Sequence, residues 1–260
     1  MATALITGAS SGIGAAFAQA LAERNYDLVL VARSQDKLQA LATQLTQQQG
    51  VEATVIPQDL IAEGAVEKIL SELGQKGLTV DLLVNNAGFG TYGEFAESDL
   101  DNYLTMIQLN IAVLVELTHR CLPGMKARQA GSILNIGSTA SFQPMPYFSV
   151  YAATKAFVLS FSEALWHECK PYGIKVLAVC PGPTETSFAE VADFPSNIGE
   201  QFSQNAATPE AVVTEALKAL DQESSNVVTG GLMNQAMVNA NRFFPREMVL
   251  NAVGRIFSAD

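Results

Sequence analysis

Seven short apolar runs recur along the chain, separated by longer segments of mixed character, and this alternation limits the fold more than any other feature. The runs cover residues 3–7, 28–32, 53–56, 82–84, 133–136, 174–179 and 227–229. Continuous rather than alternating apolarity marks strands buried on both faces, as in a parallel sheet covered by helices. The intervening segments 13–23, 37–47, 65–73, 101–126, 152–170 and 209–220 are long enough for helices. One of them carries a start signal, with Thr208 as cap and Pro209 in the first helical position, where its missing N–H costs nothing. Strand and helix alternating in this way predict an α/β chain built on one doubly wound parallel sheet of about seven strands, with helices on both faces.

No linker, internal repeat or low-complexity block divides residues 1–260, so a single domain is expected. Residues 187–207 break the regularity, with Phe188, Val191, Phe194, Ile198 and Phe202 among polar neighbours. They form either a mobile substrate lid or a surface excursion that packs its apolar side down. At the other end Met248, Val249, Ala252, Val253, Ile256 and Phe257 fall at helical spacing, suited to packing on the chain's own core.

The first apolar run leads directly into Thr7-Gly8-Ala9-Ser10-Ser11-Gly12-Ile13-Gly14, and Ala15 and Ala16 then begin a helix. Glycines allow the backbone to approach a ligand closely, and a helix N-terminus offers unpaired N–H groups and a positive dipole end to a pyrophosphate. The spacing is GxxxGxG rather than GxGxxG, so the turn gains its meaning from its place after the first strand of a βαβ series.

This turn, together with Asn85-Asn86-Ala87-Gly88 after the fourth run, resembles the short-chain dehydrogenase/reductase family over about residues 3–186. More loosely, Val228-Thr229-Gly230-Gly231 is similar to the family's last strand. The resemblance implies a Rossmann-type fold and an NAD(P)-dependent oxidoreductase. It also implies that Gly8, Ser10, Gly12, Ile13 and Gly14 line the cofactor phosphates. Asn86, Ala87 and Gly88 would support the adenine-ribose side, and Asp59 would meet the adenine. Pro181-Gly182-Pro183-Thr184-Glu185-Thr186 is similar to the segment that contacts the nicotinamide end, with Pro181, Gly182, Thr184 and Thr186 as the contacts; the family often has Val or Ile in place of Thr184.

An NAD site of this type places a carboxylate at the end of the second strand, to accept from the ribose hydroxyls. Arg33 and Ser34 stand there instead, a guanidinium fork and a hydroxyl suited to a 2′-phosphate. NADP(H) is therefore expected over NAD(H). The second basic residue sometimes found before the family's middle glycine is Ser11 here, which leaves room for incomplete selectivity.

Tyr151 and Lys155 form the chain's only Tyr-x-x-x-Lys and lie one helical turn apart, which puts phenol and ammonium on one face. A tyrosine titrates near ~10, so acid–base work at neutral pH needs a neighbouring cation. Ser138, just past the fifth run, would stand at the carboxyl edge of the sheet, where such folds bind ligands. The resemblance adds Asn110, holding a water in a proton path from Lys155, and completes a catalytic tetrad of Asn110, Ser138, Tyr151 and Lys155. By the same resemblance Lys155 also holds the nicotinamide ribose, and Tyr151 lies against the cofactor.

The expected reaction interconverts a ketone, aldehyde or 3-oxoacyl group and an alcohol. The alternatives are a catalytically silent NADP(H)-binding sensor or scaffold, and sugar-nucleotide epimerisation, which the glycine spacing and short C-terminal part weaken. Phe89, Tyr92, Phe95, Phe142, Met145, Tyr147 and Phe188 gather near the expected catalytic edge and suggest an apolar substrate, although core residues would look the same. A homodimer or homotetramer is implied by the resemblance, through the helices after strands four and five.

The net charge of −11 disfavours nucleic acid and anionic membranes as partners. No stretch approaches the ~18 apolar residues of a membrane span. Cys121, Cys169 and Cys180 show no CxxC spacing, and His119 and His167 have no partner at ligand spacing, so neither disulfide nor metal is expected. The absence of a leader-like start and the unpaired cysteines lead us to expect a cytoplasmic protein.

Overall fold

Seven strands, β1 (Thr3–Thr7), β2 (Asp27–Ala32), β3 (Ala53–Pro57), β4 (Val80–Asn85), β5 (Gly131–Ile136), β6 (Ile174–Pro181) and β7 (Asn226–Thr229), pair in the order β3-β2-β1-β4-β5-β6-β7. Every pairing is parallel, and the order reverses between β1 and β4, which opens a crevice at their carboxyl ends. The structure is a computed structural model and describes residues 1–204 and 206–258, without the side chains of Gln201, Ser203 and Asn241. It is the Rossmann-type sheet that the alternation predicts.

Side chains divide between the two faces with a period of two. Ala4, Ile6, Leu28, Leu30, Leu82, Val84 and Leu134 face one core, shared with α1 (Gly12–Glu23), α2 (Gln35–Gln49) and α9 (Pro209–Asp221). Leu5, Val29, Val31, Leu83, Ile133 and Val176 face the other, shared with α3 (Ala65–Gln75), α5 (Leu114–Arg128) and α6 (Ser149–Cys169). Burial on both sides explains why the runs are continuously apolar. Asn85, Asn135, Thr118 and Ser162 interrupt the second core as a hydrogen-bonded chain tying β4, α5, β5 and α6 together.

The expected 101–126 helix is more complex. Helix α4 (Leu100–Ile107) runs into a π-helical stretch, Gln108–Val113, before continuing as α5. Asn110 lies in the widened turn, buried.

Residues 187–207 contain two short helices, α7 (Phe188–Val191) and α8 (Ser196–Gln204); Asn205 lies outside the described residues. Their neck is closed by backbone bonds, with Glu185 N–H donating to Ala207 O and Ala207 N–H to Pro183 O, both at 2.9 Å. Helix α10 (Leu232–Asn239), which lies outside the expected helical segments, follows β7, and α11 (Arg246–Phe257) matches the C-terminal helical spacing. Val249, Val253 and Phe257 are buried against a third core with Tyr103, Met145, Phe148 and Tyr151, as own-core packing requires. Ala259 and Asp260, the end of the expected single domain, lie outside the described residues.

Candidate active site

The carboxyl edge of the sheet opens into one cavity of about 1430 Å³. Its floor at one end is the turn from β1 to α1. Gly8 has a φ of +66°, and a Cβ there would come within 2.7 Å of Asn86 Nδ2, so only glycine fits. The Ser11 side chain makes no cap bond at the start of α1, which leaves the N-terminal donors of that helix free for an anion. Gly8, Ser10, Ser11, Gly12 and Ile13 line the cavity.

Gly14 does not. It is buried behind the turn, where a Cβ would stand 2.3 Å from Gly8 O and 2.6 Å from Asn86 Nδ2. Its role is to let α1 pack closely on the turn, a correction to its expected place among the lining residues.

The turn is fastened to β4 by side chains. Thr7 Oγ1 donates to Val84 O and accepts from the N–H groups of Asn86 and Ala87, while Asn86 Nδ2 donates to Thr7 O and Gly8 O. Asn86, Ala87 and Gly88 thereby form the wall beside the glycines. Arg33, Ser34 and Asp59 border the same end. Both Arg33 and Ser34 are exposed, and no described residue forms an ion pair with Arg33. Asp59 Oδ1 accepts from Ile61 N–H at 3.3 Å.

At the other end, Ser138 caps a 3₁₀ turn, Thr139–Phe142, by accepting from Ala140 N–H at 3.1 Å. Lys155 Nζ donates to Ile136 O at 2.8 Å and lies 5.6 Å from the centroid of the Tyr151 ring. Ser138, Tyr151 and Lys155 all face the cavity.

Burial dominates the electrostatics here. It raises the Tyr151 phenol well above its ordinary value, partly offset by the nearby Ser138 side chain, and it lowers the Lys155 ammonium to about 8. Cys180, enclosed behind them, is pushed up to about 12 by burial and is a thiol at neutral pH. At pH 7 the site therefore holds a neutral phenol beside a largely protonated amine.

Asn110 does not reach the cavity surface. Its Oδ1 accepts from Phe89 N–H at 3.2 Å, and its Nδ2 donates to Phe89 O at 3.0 Å and to Thr154 Oγ1 at 3.1 Å. Both amide hydrogens are thus taken by protein, and the side chain clamps the wall segment at Phe89 onto α6. The π-helical turn supplies the displacement that brings it there.

Pro181, Gly182, Thr184 and Thr186 complete the far wall. Asn234 of α10 donates to Thr229 O and Gly230 O and packs so closely on Gly182 that a Cβ there would lie 2.1 Å from Nδ2.

The aromatic lining differs in part from expectation. Phe89, Met145 and Phe188 line the cavity, but Tyr92, Phe95, Phe142 and Tyr147 do not. Phe95 is exposed and stacks on Tyr103, and Phe142 turns into a separate cluster with Leu159, Ala178 and Cys180. Tyr92 OH donates to Phe257 O at 2.6 Å, which anchors α11. Phe148, Phe194, Met233, Met237 and Phe257 take their place. Of these, Met233 and Met237 carried a signal, an i,i+4 apolar pair following Gly230-Gly231.

The sequence profile of the family described as short chain dehydrogenase matches residues 2–193. The chain belongs to the short-chain dehydrogenase family. The mouse very-long-chain 3-oxoacyl-CoA reductase is 34% identical over 254 residues, 96% of this chain and 78% of the relative. Sulfoacetaldehyde reductase 2 of Chromohalobacter salexigens is 38% identical over 240 residues, 92% of this chain and 91% of that one. Among solved structures, a short-chain dehydrogenase from Sphingobium yanoikuyae in complex with NADPH superposes with a TM-score of 0.83 at 32% identity, covering 100% of this chain and 98% of that chain. This short-chain dehydrogenase is accordingly an oxidoreductase of the carbonyl/alcohol class on a fold that binds a nicotinamide cofactor. No helix among the described residues is long and apolar enough to cross a membrane.

Proposed function

We propose that this enzyme is an NADP(H)-dependent carbonyl reductase or alcohol dehydrogenase in which Tyr151 exchanges the proton. The observation that carries the reading is that Ser138, Tyr151 and the buried Lys155 converge on the same cavity as the glycine turn. The residues fit a dinucleotide. The turn offers free helix donors, and the Arg33 guanidinium stands where an NAD site would have a carboxylate.

When bound, NADPH would supply the hydride. Gly8, Ser10, Ser11, Gly12 and Ile13 would hold its phosphates, Arg33 and Ser34 the 2′-phosphate, and Asp59 and Asn86 to Gly88 the adenosine side. Pro181, Gly182, Thr184 and Thr186 would hold the nicotinamide end. Ser138 positions the substrate oxygen by hydrogen bonding, and the neutral Tyr151 phenol donates its proton to that oxygen as negative charge develops. The Lys155 ammonium favours the phenolate that remains and would hold the ribose. Asn110 keeps Phe89 and Lys155's helix in register through its clamp on Thr154.

The Phe148, Phe188 and Phe194 cluster supports an apolar ketone, aldehyde or 3-oxoacyl substrate, with residues 187–207 as its cover. Leu100, Leu104 and Ile107 leave an exposed i, i+4, i+7 stripe on α4, and Phe157 of α6 is also exposed, which supports a homodimer or homotetramer through these helices. Three free buried cysteines suit the reducing cytoplasm.

Thermal melts with saturating NADPH, NADP, NADH and NAD test the cofactor reading without a known substrate. A shift confined to NADP(H), followed by NADPH oxidation with a panel of apolar ketones, aldehydes and oxoacyl thioesters, is the expected result. No shift with any of the four would overturn it, and a shift without turnover on the whole panel would favour a silent binding protein.

A further inference from the structure

One polar side chain in the cavity serves neither the fold nor the proton transfer. Gln143 ends the 3₁₀ turn that Ser138 begins, is 8% exposed, and lines the cavity with Ser138 and Tyr151. Among the described residues its amide finds no partner. Oε1 is sealed from solvent without a hydrogen bond, and the residue borders the cavity.

Buried polar atoms are rarely left unpaired in folded chains, because their lost hydration is uncompensated. Leucine or methionine would fill a similar volume without that cost. The polar end is therefore explained by something that enters the cavity.

We propose that Gln143 is a specificity-determining residue that donates from Nε2 to a second, uncharged acceptor oxygen of the substrate, a few bonds from the reacting carbonyl. The preferred substrates are then oxoacyl esters or thioesters and dicarbonyls rather than isolated ketones. The inference rests on the reductase reading above.

Two observations set the chemistry. Ser138 and Gln143 flank one four-residue 3₁₀ turn, which advances about 2 Å per residue, so groups held at its two ends belong to the same part of a substrate. The charged side chains bordering the cavity are Arg33, Asp59, Lys155 and Glu185. Arg33 stands at the far end and Lys155 is engaged with Ile136 O, so no free cation lies near Gln143 for a carboxylate or sulfonate, and a neutral oxygen is the acceptor that fits.

The test compares NADPH-dependent kcat/KM for a 3-oxo ester and for the monoketone of equal length in which alkyl replaces the ester. The wild type is expected to prefer the ester at least tenfold, and Gln143→Leu to lose that ratio, mainly through a higher KM for the ester. Its melting temperature should equal or exceed that of the wild type, since the sealed carbonyl is gone. Gln143→Met, unbranched and also without a donor, gives the same readout if leucine disturbs the turn. A ratio unchanged in both variants overturns the proposal, as does an equal fall on both substrates with a lower melting temperature, which would mark a structural role. Failure of the wild type to oxidise NADPH with either compound overturns the reductase reading and this inference with it.

Discussion

Thr7→Val removes one oxygen from the joint between the glycine turn and β4 and changes the shape of the side chain very little. Thr7 is 2% exposed, and its Oγ1 bonds Val84 O at 3.2 Å and the N–H groups of Asn86 and Ala87 at 3.0 Å each. Asn86 N–H keeps a second acceptor, Val84 O at 3.1 Å, so the group left without a partner is Ala87 N–H. One orphaned, partly buried donor plus the lost bonds costs about 2 kcal/mol. For a chain of this size that lowers the melting temperature by roughly 4–8 °C. Because Asn86 and Ala87 line the cavity, NADPH affinity should fall with it. Circular-dichroism melts and a fluorescence titration with NADPH measure both effects, and Thr7→Ser, which keeps the oxygen, should recover most of the loss. A valine variant that melts within about 1 °C of the wild type, with serine lower, would refute the assigned role of the hydroxyl and make Thr7 a packing residue.

Two further outcomes follow from the charges. Arg33→Ala should weaken NADPH binding about 10- to 100-fold, the range for losing a charge-assisted phosphate contact, and leave NADH binding unchanged in the same calorimetric titration. An equal loss for both nucleotides would remove Arg33 from 2′-phosphate recognition. Lys155 is held near 8 by burial and is protonated below that value, so carbonyl reduction should be flat from about pH 6 to 7.5 and fall up to tenfold per pH unit above about 8. A profile of kcat/KM that rises through pH 8 would contradict a protonated Lys155 in the working enzyme.

The sheet was readable because its strands are buried on both faces. Leu5 and Ile6 point to opposite cores, and nothing polar breaks the run. The Tyr151, Lys155 and Ser138 placements follow from helical spacing and the sheet's carboxyl edge, two regularities that need no tertiary detail. The aromatic wall was less readable. The 3₁₀ turn at Thr139–Phe142 and the positive φ of Tyr147 set the direction of each side chain, sending Phe142 to one cluster and Phe148 to another. Helix α10 is marked in the sequence only by its Met233/Met237 pair, because Leu232 and Met233 are about 80% exposed and no side chain caps its start. Gln143 reads in a sequence as an ordinary loop residue, and only its enclosure shows that its amide lacks a partner. Gly14 shows the opposite case, where a glycine that reads as a ligand contact is required for packing.

The central claim is that Tyr151 delivers the proton during NADPH-dependent carbonyl reduction. The most direct measurement is single-turnover NADPH oxidation with a reducible carbonyl, in the wild type and in Tyr151→Phe. A rate lower by about 10²–10⁴-fold, the usual worth of a general acid, is expected for the variant, with NADPH affinity within about twofold of the wild type. A phenylalanine variant that turns over within tenfold of the wild type would contradict it.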